Sequence, residues 1–243
     1  MENKEEKNVA LGARLEACAG FVRRGGRVAD IGTDHAYLPI WLVQNGAVSA
    51  AYASDINEEP IMSAVHNIHS CGLDEKIKTF TANGLDLIPP DGVDDIVIAG
   101  MGGDNIAAIL SRGEWLKNAR YRLILQPMSR ASRLREYLYS NGYHIIAEKA
   151  VCEADRVYTV ICTEYSQNIA IHDEIDIYAG RLDASDPNAA ALLKKQAGIL
   201  LSVAEGCAAR GDYSGEAHCI RLAEKLLERI RGGIGHDECK GSI

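Results

Sequence analysis

Several marks of familiar protein classes are missing from this chain. No apolar run reaches the roughly 20 residues of a membrane span. The polar stretch Met1-Glu-Asn-Lys-Glu-Glu-Lys7 has no signal-peptide hydrophobic region. The expectation is a soluble, cytoplasmic protein with residues 1 to about 8 as a fraying lead-in. The seven cysteines are odd in number and contain no C-x-x-C, which argues for reduced thiols and against a zinc ribbon or a disulfide framework. An excess of basic residues is lacking too. The formal net charge of −8 is not the usual sign of a nucleic-acid-binding protein, although a local basic patch works on an acidic surface. The dinucleotide fingerprint G-x-G-x-x-G is also absent. After Gly32, Asp34 stands in the second glycine's place and Tyr37 in the third's, which counts against NAD and FAD.

What is present centres on Arg27-Val-Ala-Asp-Ile-Gly-Thr-Asp-His-Ala-Tyr-Leu-Pro39. Val28 to Ile31 reads as a short buried strand with Asp30 near its end, Gly32 as a tight turn, and Pro39 as part of a first helical turn. In open α/β sheets ligands bind beyond the carboxyl ends of the strands. Asp34 and His35 would then stand at the mouth of the crevice. A plain structural strand–turn–helix fits this stretch as well.

The pattern of strand, glycine or asparagine turn and helix then recurs. Helical spacing runs from Val9 to Val22. Further strands are expected at Ala50 to Ile56, Ile77 to Ala82, Asp95 to Ala99 and Arg122 to Leu125, with helices at Pro60 to Ser70, Asn105 to Leu110 and Ser132 to Ser140. His144 to Val151 and Val157 to Thr163 come next without a helix between them and should form an antiparallel pair. The domain so defined spans residues 9–165. Residues 166–185 are polar and acidic and read as a linker. Residues 186–232 carry two apolar periodicities separated by Gly211-Asp212, predicting an antiparallel helical hairpin. Its apolar positions are Leu192, Leu193, Ile199, Leu200, Val203 and Cys207, then Ile220, Ala223, Leu226, Leu227 and Ile230. Its narrow core calls for docking onto the first domain or onto RNA. The tail from Gly232 should be flexible, and a metal site at His236 to Cys239 is incidental in such a tail.

The candidates for chemistry lie at strand ends. Asp55 suits the two hydroxyls of a ribose, and equally a helix N-cap. Asn83-Gly84 suits an adenine amine, and equally a turn. Gly100-Met101-Gly102-Gly103 has more glycine than a tight turn needs and leaves bare backbone for a flat base or a methyl group. His66 and His69 share a helical face but have no third ligand, so no metal is expected. Arg130, Arg133 and Arg135 form a basic cluster at the end of the fifth strand, read as phosphate donors or as solvated helix arginines.

Together, Ala29-Asp-Ile-Gly-Thr-Asp-His-Ala-Tyr-Leu-Pro39, Ser54-Asp-Ile-Asn57, Ala99-Gly-Met-Gly-Gly103 and Leu125-Gln-Pro-Met128 resemble the bacterial TrmK family of tRNA (adenine-22-N1)-methyltransferases, over residues 10 to 232. The resemblance implies an α/β fold: a class I, Rossmann-like methyltransferase sheet of seven strands, the last inserted antiparallel, with a coiled-coil-like C-terminal hairpin. It implies S-adenosyl-L-methionine as cofactor, tRNA as partner and no obligate protein partner. The implied cofactor residues are Asp30, Gly32, Thr33, His35, Asp55, Ile56, Asn83, Gly84 and Gly100. Asp34, Tyr37 and Met101 are implied in catalysis, Asp34 beside the exocyclic amine and the other two stacking on the target base. Arg14, Arg130, Arg133 and Arg135 are implied in RNA binding. Asn83 stands where an Asp is usual. Small-molecule methyl transfer, or a non-enzymatic interaction role, remain the alternative readings.

Overall fold

The computed structural model describes residues 8–166 and 172–234. Seven strands form one sheet in the order β3-β2-β1-β4-β5-β7-β6. They are β1 (Arg27–Ile31), β2 (Ala50–Asp55), β3 (Ile77–Thr81), β4 (Asp95–Gly102), β5 (Arg122–Ser129), β6 (Tyr143–Glu153) and β7 (Arg156–Tyr165). β1 pairs in parallel with both β2 and β4. β7 runs antiparallel to both β5 and β6, as expected for two strands joined by a turn at residues 154–155 with no helix between them.

Period-two alternation builds the two faces. Val28, Val97 and Ile124 point into one apolar layer, with α1 (Ala13–Ala19), α2 (Tyr37–Gln44) and α3 (Glu58–Ser70) supplying Cys18, Leu42 and Ile68. Ala29, Ile31, Ile96, Ile98, Leu123 and Leu125 point into the other, against Ile106 and Leu110 of α4 (Gly103–Arg112) and Leu134 and Leu138 of α5 (Ala131–Ser140). The chain after β1 therefore turns to one face and the chain after β4 to the other. Their carboxyl ends part at the switch point, where a crevice opens.

Some elements differ from the periodicity. α1 is shorter than the 9–22 spacing. Gly12 is extended at its start, where a Cβ would lie 2.7 Å from the Glu153 carboxylate, yet Val9 and Leu11 still pack on the core without being helical. β4 runs three residues past Ala99, with a register shift at Gly100. Such a bulge re-aims the residues beyond it.

The region read as a linker contains a helix, α6 (Glu174–Ala179), closed at its start by a reciprocal Asp173–Asp176 capping box. The hairpin is α7 (Pro187–Ala209) and α8 (Tyr213–Ile234). Asp186 caps α7 by accepting from the Asn188 and Ala189 amides, with Pro187 in the first turn. The α7 seam is built from small residues: Ala189, Leu193, Ala197, Leu200, Ala204 and Cys207 are buried, whereas Ile199 and Val203, expected inward, are half exposed. Ala150 of β6 joins this core, so the hairpin docks on the sheet. α8 continues through Gly232 to Ile234. The expectation for His236 to Cys239 lies outside the described residues.

Arg135 corrects the sequence reading. It is 3% exposed, facing the protein and not RNA. Its Nε and Nη2 donate to the Glu148 carboxylate at 3.0 and 2.7 Å, and its Nη1 donates to the Ile177 carbonyl at 3.2 Å. Glu148 also accepts from Thr159 Oγ1 and the Arg181 amide. One ion pair thus ties α5 and β6 to the end of α6. Gly180, at φ +61°, makes room for it, since a Cβ there would sit 2.5 Å from the carboxylate. Removing one partner leaves a buried charge alone, which costs about 3–5 kcal/mol, whereas an apolar pair of similar volume is tolerated. Urea unfolding should show Glu148→Ala destabilised by that amount and Arg135→Met/Glu148→Leu recovering most of it.

Candidate active site

Two cavities meet in the crevice beyond β1, β2 and β4. The first, about 360 Å3, is lined by Arg14, Asp30, Thr33, Asp34, His35 and Tyr37, with Gly100 at its edge. The second, about 420 Å3, is lined by Asp55, Ile56, Asn83, Gly84, Met101 and Arg112. Gly32 lines both. Its φ of +78° favours glycine, and a Cβ at this position would collide with Met101 Cε. Every residue implied in cofactor binding or catalysis therefore reaches one continuous crevice. Of the RNA candidates, only Arg14 does.

The first cavity is acidic at its base. Asp30 is 7% exposed. Burial pushes its carboxyl up to about 6, a hydrogen bond from the Thr33 side chain opposes the rise, and the charge of Asp55 adds to it. A cationic ligand nearby would restore its ionised form. At the rim, Asp34 is well exposed with an oxygen 3.4 Å from His35 Nε2. The His35 and Tyr37 rings stack with centroids 5.2 Å apart. Asn67 of α3 donates to the His35 carbonyl at 3.1 Å and pins this loop. Ala36, at φ +56°, makes the left-handed turn that starts α2.

The second cavity suits a nucleoside. Asp55 ends β2 and accepts from the Asn57 amide at 2.8 Å, so it also performs the turn role that was its alternative reading. Asn83 Oδ1 accepts from Arg112 Nη2 at 2.8 Å. This fixes the amide with its oxygen on the arginine, leaving its NH2 as a donor for a ring nitrogen. Ile56, 62% exposed, supplies apolar surface at the opening. Sequence reasoning missed Arg112, because only the tertiary pairing of α4 with the end of β3 brings it to Asn83.

Behind the crevice a polar clamp holds β4. Buried Gln126 accepts through Oε1 from Arg14 Nη1 at 2.9 Å and from the Gly100 amide at 3.1 Å. Arg14 is in turn held by Glu153, through Nε at 2.6 Å and its backbone amide at 2.9 Å. These bonds hold the Glu153 carboxyl below its ordinary range, the backbone amide foremost. Arg14, expected at phosphates, is thus committed to organising the Gly100–Met101 bulge. Gln126 lay inside a quoted motif without a role, and Glu153 gave no signal. Arg130 and Arg133 are exposed and pair with Asp104 and Glu136. Arg130 flanks a groove of about 120 Å3 shared with Tyr158 and Lys195, between β5 and α7. His69 pairs with Asp74, and His66 is exposed. Among the described residues no three acidic, histidine or cysteine side chains gather as a metal site.

Comparison with known proteins gives this geometry its context. Residues 11–161 match the family described as "Methyltransferase domain". Over 172 residues the chain is 39% identical to the tRNA (adenine(22)-N(1))-methyltransferase of Bacillus subtilis, an alignment covering 71% of this chain and 72% of that protein. The crystal structure of the B. subtilis m1A22 tRNA methyltransferase TrmK superposes with a TM-score of 0.78 at 32% identity, over 93% of this chain and 100% of that one. The M. capricolum TrmK structure, in complex with S-adenosyl-homocysteine, superposes with a TM-score of 0.79 at 28% identity, over 91% and 99%. With its seven-stranded sheet, its crevice at the β1–β4 switch point and its docked helical hairpin, the chain belongs to the TrmK family of methyltransferases.

Proposed function

We propose that this chain transfers the methyl group of S-adenosyl-L-methionine to N1 of an adenine in tRNA, position 22 as in the B. subtilis relative. The carrying observation is the pair of cavities that meet over Gly32, one suited to a nucleoside and the other open at Asp34. The residues present fit the cofactor. Asp55 would hold the ribose hydroxyls, Asn83 and Ile56 the adenine, and the Gly32–Thr33 backbone with Asp30 the charged amino-acid end. When bound, the cofactor supplies an electrophilic methyl group on a sulfonium.

The chain's own task is placement. N1 of adenine carries an in-plane lone pair, so attack needs alignment and no prior deprotonation. N1 also lies on the Watson–Crick edge, so the base must be unpaired or extruded, at a few kcal/mol. Met101 beside Gly32 and Tyr37 at the rim would stack on such a base. Methylation makes the ring cationic. Asp34 would stabilise that charge or take a proton from the exocyclic amine. Arg130 and Arg133 remain the exposed candidates for phosphate contact. No helix among the described residues is long and apolar enough to cross a membrane. With tRNA as substrate, the proposed place of action is the cytoplasm.

Incubation with labelled S-adenosyl-L-methionine and unmodified bulk bacterial tRNA, with nucleoside analysis of the product, should place the label in 1-methyladenosine. Confirmed cofactor binding with no label in tRNA would overturn the reading. Asp34→Ala should lower kcat by about 100-fold with cofactor affinity retained, and unchanged turnover would remove Asp34 from the mechanism.

Asp30 sets a pH dependence with a definite sign. Its carboxyl loses a proton near 3.8 in the unfolded chain and near 6 in the fold. Folding therefore takes up a proton between those values, and the unliganded fold loses stability as pH rises through that window, by about 2–3 kcal/mol in all. Asp30→Asn should unfold at higher urea concentration than the parent at pH 7, with little difference at pH 4. Cofactor affinity should rise with pH through about 6 in the parent, and be weaker and flat in the variant. Titration calorimetry from pH 5 to 8 reads that effect.

A further inference from the structure

A third cavity, about 460 Å3, adjoins the crevice and is left unused by the proposed chemistry. His35 and Tyr37 line it from one side, as they line the cavity at Asp34 from the other. Its floor is the outer face of α3, with Glu59, Met62, His66 and Asn67. Met62 is 67% exposed, a large apolar side chain left in water beside two stacked rings, themselves partly exposed. His66 is exposed as well. Asn67 joins the two sides of the shelf by donating to the His35 carbonyl at 3.1 Å.

We infer that this shelf holds a second nucleobase of the RNA, the neighbour of the methylated adenine, by stacking. The inference rests on the tRNA reading above. The His35–Tyr37 pair is a wall between two cavities, so a base in each is separated by aromatic surface. A wall of this kind keeps an extruded base from restacking on its neighbour, which is the cost that extrusion incurs. The chemistry of the floor selects a base over a phosphate. Met62 and the rings offer polarisable apolar faces, and Glu59 at the edge repels an anion while accepting from exocyclic amines. Continuity with the crevice favours this occupant over a second copy of the chain.

The test uses the full-length chain and a tRNA transcript, together with transcripts that carry an abasic residue on the 5′ or the 3′ side of the target adenine. Met62→Ala/His66→Ala should raise KM for tRNA about tenfold, the size of one lost stacked base, with kcat and cofactor Kd unchanged. Met62→Leu, which keeps the apolar face, should restore most of the affinity. One of the two abasic transcripts should lose a similar factor with the parent enzyme and much less with the double variant. An unchanged KM, or abasic losses equal in both enzymes, overturns the shelf while leaving the methyltransferase reading intact. A change in oligomeric state in the double variant with unchanged KM assigns the patch to self-association and overturns the inference too. Absence of any tRNA methylation by the parent enzyme removes the functional reading, and this inference with it.

Discussion

The left-handed turn at Gly32, where φ is +78°, is the constraint on which the active site depends. β1 and β4 are neighbours, and the segments after them turn to opposite faces of the sheet, so their carboxyl ends separate and a crevice must form. Whether that crevice is one site or two is decided locally. Met101 leans over Gly32, whose turn joins the two cavities, and a Cβ at 32 would displace the end of the Met101 side chain. The register shift that carries Met101 there is held from behind, by Gln126 on the Gly100 amide and by Arg14 and Glu153 on Gln126. A turn glycine, a bulge in the neighbouring strand and an ion pair behind it are parts of one arrangement.

Two buried charges show how differently the same physics is used. Arg135 and Glu148 are paired with each other, and the Ile177 carbonyl, the Thr159 hydroxyl and the Arg181 amide complete their hydrogen bonds. That pair fixes where α6, and with it the helical hairpin, meets the sheet. Asp30 is also buried, and a hydrogen bond from the Thr33 side chain supports its charge against desolvation and the repulsion of Asp55. Its burial lowers the stability of the free protein at neutral pH, a cost that a cationic ligand in the first cavity would relieve. A buried carboxyl at the end of the central strand suits a ligand that carries an ammonium and a sulfonium.

Much of this was legible in the sequence. Strands ending in glycine or asparagine turns, with Asp30, Asp55, Asn83 and Gly100 at or just beyond their ends, can be read from short apolar runs and turn chemistry, and the structure gathers them into one crevice. Tertiary pairing was not legible. Arg14 and Arg135 look like free cations in the sequence, and each is held by a carboxylate on β6, 139 and 13 residues away. Arg112 meets Asn83 only because α4 packs back along the sheet. The hairpin seam misled for another reason. Alanines at 189, 197 and 204 are buried while Ile199 and Val203 are not, because close helix contact favours small residues and the larger side chains are left outside. α6 is too short to show a period, and its cap at Asp173 reads as one more acid in an acidic stretch.

The acidic balance of the chain, at first an argument against an RNA partner, acquires a local meaning. Asp30, Asp34, Asp55 and Glu59 all border the crevice or its neighbouring shelf. Around a cationic cofactor and a base that becomes cationic on methylation, such acids are favourable. Toward phosphate they are repulsive. In the proposed reading, the backbone of a docked RNA would lie away from these acids, with Arg130 and Arg133 as its candidate contacts, while a base, which carries no charge, would enter. An extruded base reaching inward from a backbone held at the rim is the geometry that methylation at a Watson–Crick edge requires. The acids at the crevice would then favour an entering base over the phosphates of the chain that carries it, with Arg14 and Arg112 in the same lining already paired to Glu153 and Asn83.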